Sequence, residues 1–114
     1  MLGVLTITQG PDLGRRHFFG RQHKVTIGRA LSASICLTDS QASRMHCELS
    51  HEGDAVIITD SGSAGGTWIN GEQIDAPRRL EPGDVIGIGH TRLSFQWSDA
   101  DEKTTQSLQF PDSD

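Results

Sequence analysis

No stretch of this 114-residue sequence keeps its apolar residues on a helical period long enough to make a helix. Short runs that alternate or cluster, broken by turn residues about every eight to twelve positions, are what it offers instead, and that is the signature of an all-β sandwich or barrel. "VLTIT" (4–8), "RRHFFG" (15–20), "HKVTIG" (23–28), "SICL" (34–37), "HCELS" (46–50) and "AVIITD" (55–60) read as successive strands. Asn70-Gly71 then marks a hairpin joining "TWI" to "EQI", because a type I′ turn needs positive φ at both central residues. "EPGD" (81–84) carries proline then glycine in the order of a tight turn, and "VIGIG" (85–89) and "TRLSFQW" (91–97) close the series.

The strand pattern stops at Ser98, so the expected organisation is one domain over 1–97 and an acidic, flexible tail or linker over 98–114. The formal net charge of −5 is uneven. The tail holds five acids against one base, and the body is almost balanced, so a general nucleic-acid footprint is not expected. No run approaches the ~18 apolar residues of a membrane span, and no secretory leader is recognisable, which gives a soluble, cytoplasmic domain as the expectation. Cys36 and Cys47 sit among apolar neighbours; a disulfide is open to them, but two buried thiols fit the setting better. The other histidines (His17, His23, His51, His90) are scattered without metal spacing and are expected at the surface, with no metal or cofactor implied. Trp68 and Trp97 read as core or half-buried strand residues.

Chemistry concentrates at strand ends, where loops meet on a rigid scaffold. Gly28-Arg29, Ser43-Arg44-Met45-His46 and the loop "GSAGG" (62–66) supply two arginines, a hydroxyl and a set of free backbone N–H groups. That combination suits a phosphate: the guanidinium fork matches its oxygens, and a glycine-rich turn aims amides into an anion-binding nest. Enzyme signatures fail. "GIGHTR" (87–92) lacks the third glycine of a dinucleotide loop, and no Gly-Lys-Ser/Thr phosphate loop is present. Ser43 and His46 with Asp39 or Asp60 have the residue types of a hydrolytic triad, but serine and histidine are neighbours in one turn with no nucleophile elbow.

In order and spacing, Gly28-Arg29, Ser43-Arg44-x-His46, Asp60-x-Gly62-Ser63-x-x-Gly66-Thr67-x-x-Asn70-Gly71, Gly83-Asp84 and Ile88-Gly89 resemble the forkhead-associated (FHA) domain family. The resemblance runs from about Leu5 to Trp97. It implies a sandwich of two β-sheets with about eleven strands and its ligand loops at one end. It also implies a non-enzymatic activity, recognition of phosphothreonine in partner proteins that are substrates of a serine/threonine kinase. Arg29 and Ser43 would contact the phosphate, and Arg44 the phosphate or the adjoining peptide. Backbone of Ala64, Gly65 and Gly66 would support the peptide. Gly28, His46, Thr67, Asn70 and Gly71 would hold the site in shape.

The chain departs from the family in the glycine loop. Where Ser-Thr-Asn-Gly-Thr is usual, it reads Ser63-Ala64-Gly65-Gly66-Thr67. The Ala64 amide survives as a donor, but the Asn side chain that would hold the peptide main chain is missing at Gly65. One such hydrogen bond is worth about 0.5–1.5 kcal/mol, roughly three- to tenfold in affinity. The alternative function is therefore a scaffold that has drifted to phosphate-independent protein contact or self-association. Thr104 and Thr105, the only adjacent threonine pair, are candidate phosphosites that would dock on the chain's own domain or on a neighbouring copy. Seven residues from Trp97 to Thr104 span about 23 Å when extended, enough for one end of a domain of this size.

Overall fold

In the computed structural model, described for residues 2–20 and 24–98, eleven strands form two packed sheets. The strands are β1 (Leu2–Gln9), β2 (Arg16–Phe19), β3 (Val25–Gly28), β4 (Ile35–Cys36), β5 (Cys47–Glu52), β6 (Ala55–Asp60), β7 (Trp68–Ile69), β8 (Glu72–Gln73), β9 (Arg78–Leu80), β10 (Val85–Ile88) and β11 (Thr91–Ser98). One sheet has the order β2-β1-β11-β10-β7-β8 and the other β4-β3-β5-β6-β9. Every pairing is antiparallel except the two-residue parallel contact of β3 with β4.

Alternation dictates which face goes inward. Leu5 and Ile7 of β1 and Leu93 and Phe95 of β11 meet Ile27, Leu49, Val56 and Ile58 from the facing sheet, all at 1% exposure or less. Phe95 carries Trp97 edge-on at 5.2 Å and Phe19 at 6.2 Å. Trp97 is thus half-buried against the core, and Trp68 is more open, at 39% exposure. The two thiols are free, Cys47 buried and Cys36 half-buried. Burial, with the negative charge of Asp60 adding to it, pushes the Cys47 thiol up to about 12, so Cys47 stays a small apolar core residue.

The surface assignment of the histidines needs correcting for two of them. His17 pairs with the inward-facing Leu5 and so lies on the inner side of β2, as does Phe19. His51 lies on the inner side of β5, bonds the Gly20 carbonyl through Nε2 at 3.1 Å and packs against Phe19. The strand period put both rings inside, and at the rim of the sandwich half-burial is tolerable for an imidazole.

Asn70 (φ 52°) and Gly71 (φ 85°) form the two-residue turn between β7 and β8. The Asn70 side chain also accepts from the Val85 amide and donates to Asp84, each at 2.9 Å, which fixes the hairpin to β10. Pro82-Gly83 closes its turn with the Asp84 amide on the Glu81 carbonyl. No helix among the described residues is long and apolar enough to cross a membrane. Residues 99–114, including Thr104 and Thr105, lie outside the described residues.

Candidate functional site

Three connections come together at one end of the sandwich: 29–34 after β3, 37–46 after β4, and 61–67 after β6. Gly28 lets the first two touch. A Cβ placed on it would stand 2.1 Å from the Arg44 carbonyl oxygen. In that space the Arg29 amide donates to Ser43 O (2.9 Å), the Ala30 amide to Arg44 O (3.0 Å) and the His46 amide to Ile27 O (2.8 Å). The Arg29 side chain is exposed but oriented, because its Nε donates to the Ala42 carbonyl at 2.9 Å. That bond uses Nε and not the two terminal nitrogens of the guanidinium.

His46 ties the second loop to the third. It is completely buried; its Nδ1 accepts the Ser43 amide at 3.0 Å and its Nε2 lies 2.7 Å from the Gly66 carbonyl. A carbonyl only accepts, so the ring hydrogen sits on Nε2. Both ring nitrogens are therefore engaged with backbone, and the ring is not available as a base for Ser43. The Ser43 hydroxyl instead accepts the Ala64 amide at 3.0 Å, a bond that does not use its own hydrogen. Arg44 is exposed beside it.

Asp60 shapes the glycine loop. It accepts from the Gly62 and Ser63 amides (3.0 Å each) and from the Ser63 and Thr67 hydroxyls (2.5 and 2.6 Å). The Ser63 hydroxyl in turn accepts the Gly66 amide. Asp39 fastens the second loop to the β10–β11 turn through Gln41 N, His90 N and the Thr91 hydroxyl, and Asp12 holds Thr38 by amide and hydroxyl. These three aspartates are positioning residues, a role the sequence reading assigned to none of them: Asp60 entered within the family motif, Asp39 and Asp60 in the rejected triad, and Asp12 not at all. Local signals exist for two: Asp39-Ser40-Gln41 and Asp60-Ser61-Gly62-Ser63 are side-chain-to-backbone turns of the kind Asp favours. For Asp12 and Thr38, 26 positions apart, the sequence has none.

Burial alone would raise all three carboxyls, but the hydrogen bonds just described outweigh it and hold each below its ordinary value, with Arg15 helping at Asp12 and the charge of His90 at Asp39. A carboxyl whose pKa is lower folded than unfolded adds stability above the unfolded value, about 3.9, and that stability is lost as pH falls through the folded value. Thermal melts between pH 3 and 6 should therefore show a plateau above about pH 5 and a steep fall below about pH 4. Asp60→Asn should flatten that fall; an unchanged acid limb would show that Asp60 is not among the groups driving it.

The sequence-predicted residues Gly28, Arg29, Ser43, Arg44, His46, Ala64, Gly66 and Thr67 are thus brought into one bonded constellation. Gly65 sits at its rim, its carbonyl 3.4 Å from the Trp68 indole nitrogen. Asn70 and Gly71 buttress it from the next hairpin: the Ile74 amide beyond β8 donates to Thr67 O at 2.9 Å. Two exposed arginines and the Ser43 hydroxyl thus stand on a frame of engaged backbone and carboxylates, a set of groups that can donate hydrogen bonds to an anion.

Known proteins resemble this chain over most of its length. The family model described as FHA domain matches residues 25–89. The glycogen accumulation regulator GarA of Mycolicibacterium smegmatis is 37% identical over 92 residues, covering 81% of this chain and 57% of that protein. An oxoglutarate dehydrogenase inhibitor of Corynebacterium jeikeium is likewise 37% identical over 92 residues, with 81% and 62% covered. The chain thus spans about three-fifths of the length of these relatives. Among solved structures, one from a study of phosphothreonine-dependent FHA domain interactions superposes with a TM-score of 0.76 at 27% identity, covering 88% of this chain and all of that one.

Proposed function

This chain belongs to the FHA domain family, and we propose that it works as a cytoplasmic, non-catalytic reader of phosphothreonine that recruits phosphorylated partners of a serine/threonine kinase pathway. The observation that supports this reading is an exposed Arg29, oriented through Nε, whose backbone amide is bonded to the carbonyl of Ser43, the residue whose hydroxyl holds the glycine loop. A preorganised receptor of this sort gives up little ordering entropy on binding. The phosphate would take hydrogen bonds from Arg29, Ser43 and Arg44, and the peptide main chain would lie along Ala64 to Gly66. A degenerate peptide library tests it. Binding should require phosphothreonine over phosphoserine and unmodified threonine; equal capture of all three would reject the reading.

The alternative, a scaffold for phosphate-independent contact or self-association, draws on one feature. The Ala64 amide is engaged with Ser43, and Gly65 has no side chain to offer. Gly65 itself has an ordinary backbone, with no positive φ, and a Cβ there would meet open space. Gly65→Asn should therefore fold as well as the parent and bind phosphothreonine peptides roughly three- to tenfold more tightly by isothermal titration. An unchanged or weaker affinity would mean that the peptide main chain does not pass this position.

For the tail, docking in cis and docking in trans differ in the reach they need. β11 begins at Thr91, fastened to the ligand-end loops through Asp39, and ends at Ser98 about 24 Å away. The six residues from Ser98 to Thr104 reach at most about 21 Å and the seven to Thr105 about 25 Å, so on the chain's own domain only a fully extended tail would bring Thr105 to that end. Reach thus favours reading of phosphorylated Thr104 on a neighbouring copy and leaves Thr105 both routes. Kinase-treated protein should grow in mass with concentration in light scattering, and Arg29→Ala should abolish that growth. A phosphorylated chain that stays monomeric would rule trans docking out.

A further inference from the structure

Leu31, two residues beyond Arg29, is 95% exposed, and the structure holds it that way. The Ala33 amide donates to Ala30 O at 3.0 Å, which makes Leu31 and Ser32 the centre of a tight turn. Both flanking alanines are buried, at 6% and 7%, so the turn is anchored inward at its two ends. Ala30 is bonded to Arg44 O; beyond Ala33, the Ser34 amide donates to Thr26 Oγ1 (2.9 Å) and the Thr26 amide to Ser34 Oγ (3.1 Å). Turn centres of this kind ordinarily carry polar residues, glycine or proline. A leucine there gains nothing from folding, since its apolar surface stays in water.

Met45 is placed alike. It is 41% exposed and directly follows Arg44, whose carbonyl accepts the Ala30 amide. That hydrogen bond joins two backbone segments, each carrying an outward arginine and an outward apolar side chain close after it. The phosphate engages the arginines and leaves both apolar groups unused. Methionine is adaptable in shape and suits a contact that must accept several side chains; the pinned turn makes Leu31 the fixed half of the pair.

Building on the phosphothreonine reading, we propose that Leu31, supported by Met45, is a specificity-determining contact that selects peptides with a large aliphatic side chain close to the phosphothreonine. Partial burial of a leucine against such a side chain favours it over alanine about fivefold.

The test uses phosphothreonine peptides with alanine at every neighbouring position, and a set in which one leucine is scanned through those positions. Wild-type protein should prefer leucine over alanine by about fivefold at one position. In Leu31→Ser that ratio should fall to near one, and in Met45→Gln it should fall part of the way. Wild-type protein that binds the phosphopeptides with no leucine preference, or a Leu31→Ser variant that keeps it, overturns the proposal and leaves phosphothreonine reading intact. Failure of wild-type protein to bind any phosphopeptide overturns both.

Discussion

Arg29→Ala will abolish phosphothreonine recognition and leave the sandwich folded. The Arg29 guanidinium would supply charge-assisted bonds from a fork already held through Nε, so its removal should cost about 3 kcal/mol, roughly 150-fold in affinity. The folded domain loses only the Nε bond to the Ala42 carbonyl, about 1 kcal/mol. Arg29→Lys should recover only part of the binding, since a point charge does not reproduce the fork. Titration of each variant with one phosphopeptide, beside a melting curve, checks both halves. Affinity within threefold of the parent would place phosphate recognition elsewhere and favour the phosphate-independent scaffold.

Gly28→Ala should have the largest effect on stability. Its new methyl would fall 2.1 Å from the Arg44 oxygen, 2.7 Å from the Arg44 carbonyl carbon and 2.9 Å from Ser43 O. All three atoms are backbone, so no side chain can swing away. Relief must come from separating β3 from the 43–46 segment, which breaks some of the bonds from Arg29, Ala30 and His46 that hold them together. Overpacking of this kind, with hydrogen bonds lost, should cost about 3 kcal/mol, roughly 10–20 °C in melting temperature for a domain of about 100 residues. Whatever folds should bind phosphopeptide poorly, because Arg29 and Ser43 are set by the same contacts. A melting temperature within about 2 °C of the parent would contradict the close approach.

These two residues were legible in the sequence to different depths. Gly28-Arg29 stood out by its place in a dispersed motif, but the reason for the glycine is a contact with a segment 16 positions away. The Asn70-Gly71 hairpin was readable outright, because its backbone demands residues that tolerate positive φ. β9 was not: Arg78-Arg79-Leu80 has no alternation to see, and its identity as a strand comes from pairing with β6, Val56 opposite Leu80. The parallel contact of β3 with β4 was equally hidden, being two residues long. The role of His46 as a tie between loops came from family resemblance, whereas the aspartate fastenings needed the fold, since Asp12 and Asp39 reach 26 and 51 positions along the chain. His17 and His51 show a different failure. The strand period placed them inside, whereas the surface expectation rested on their scatter and lack of metal spacing, which say nothing about which face of a strand a residue takes.

The most direct test of the central claim is to titrate isotopically labelled domain with a phosphothreonine peptide and follow its backbone amide resonances. Reading of phosphate at this site predicts that the largest changes fall on Arg29–Ala30, Ser43–Arg44 and Ala64–Gly66, with no such response to the unphosphorylated peptide. Changes confined to the outer faces of the sheets, or equal for both peptides, would contradict it.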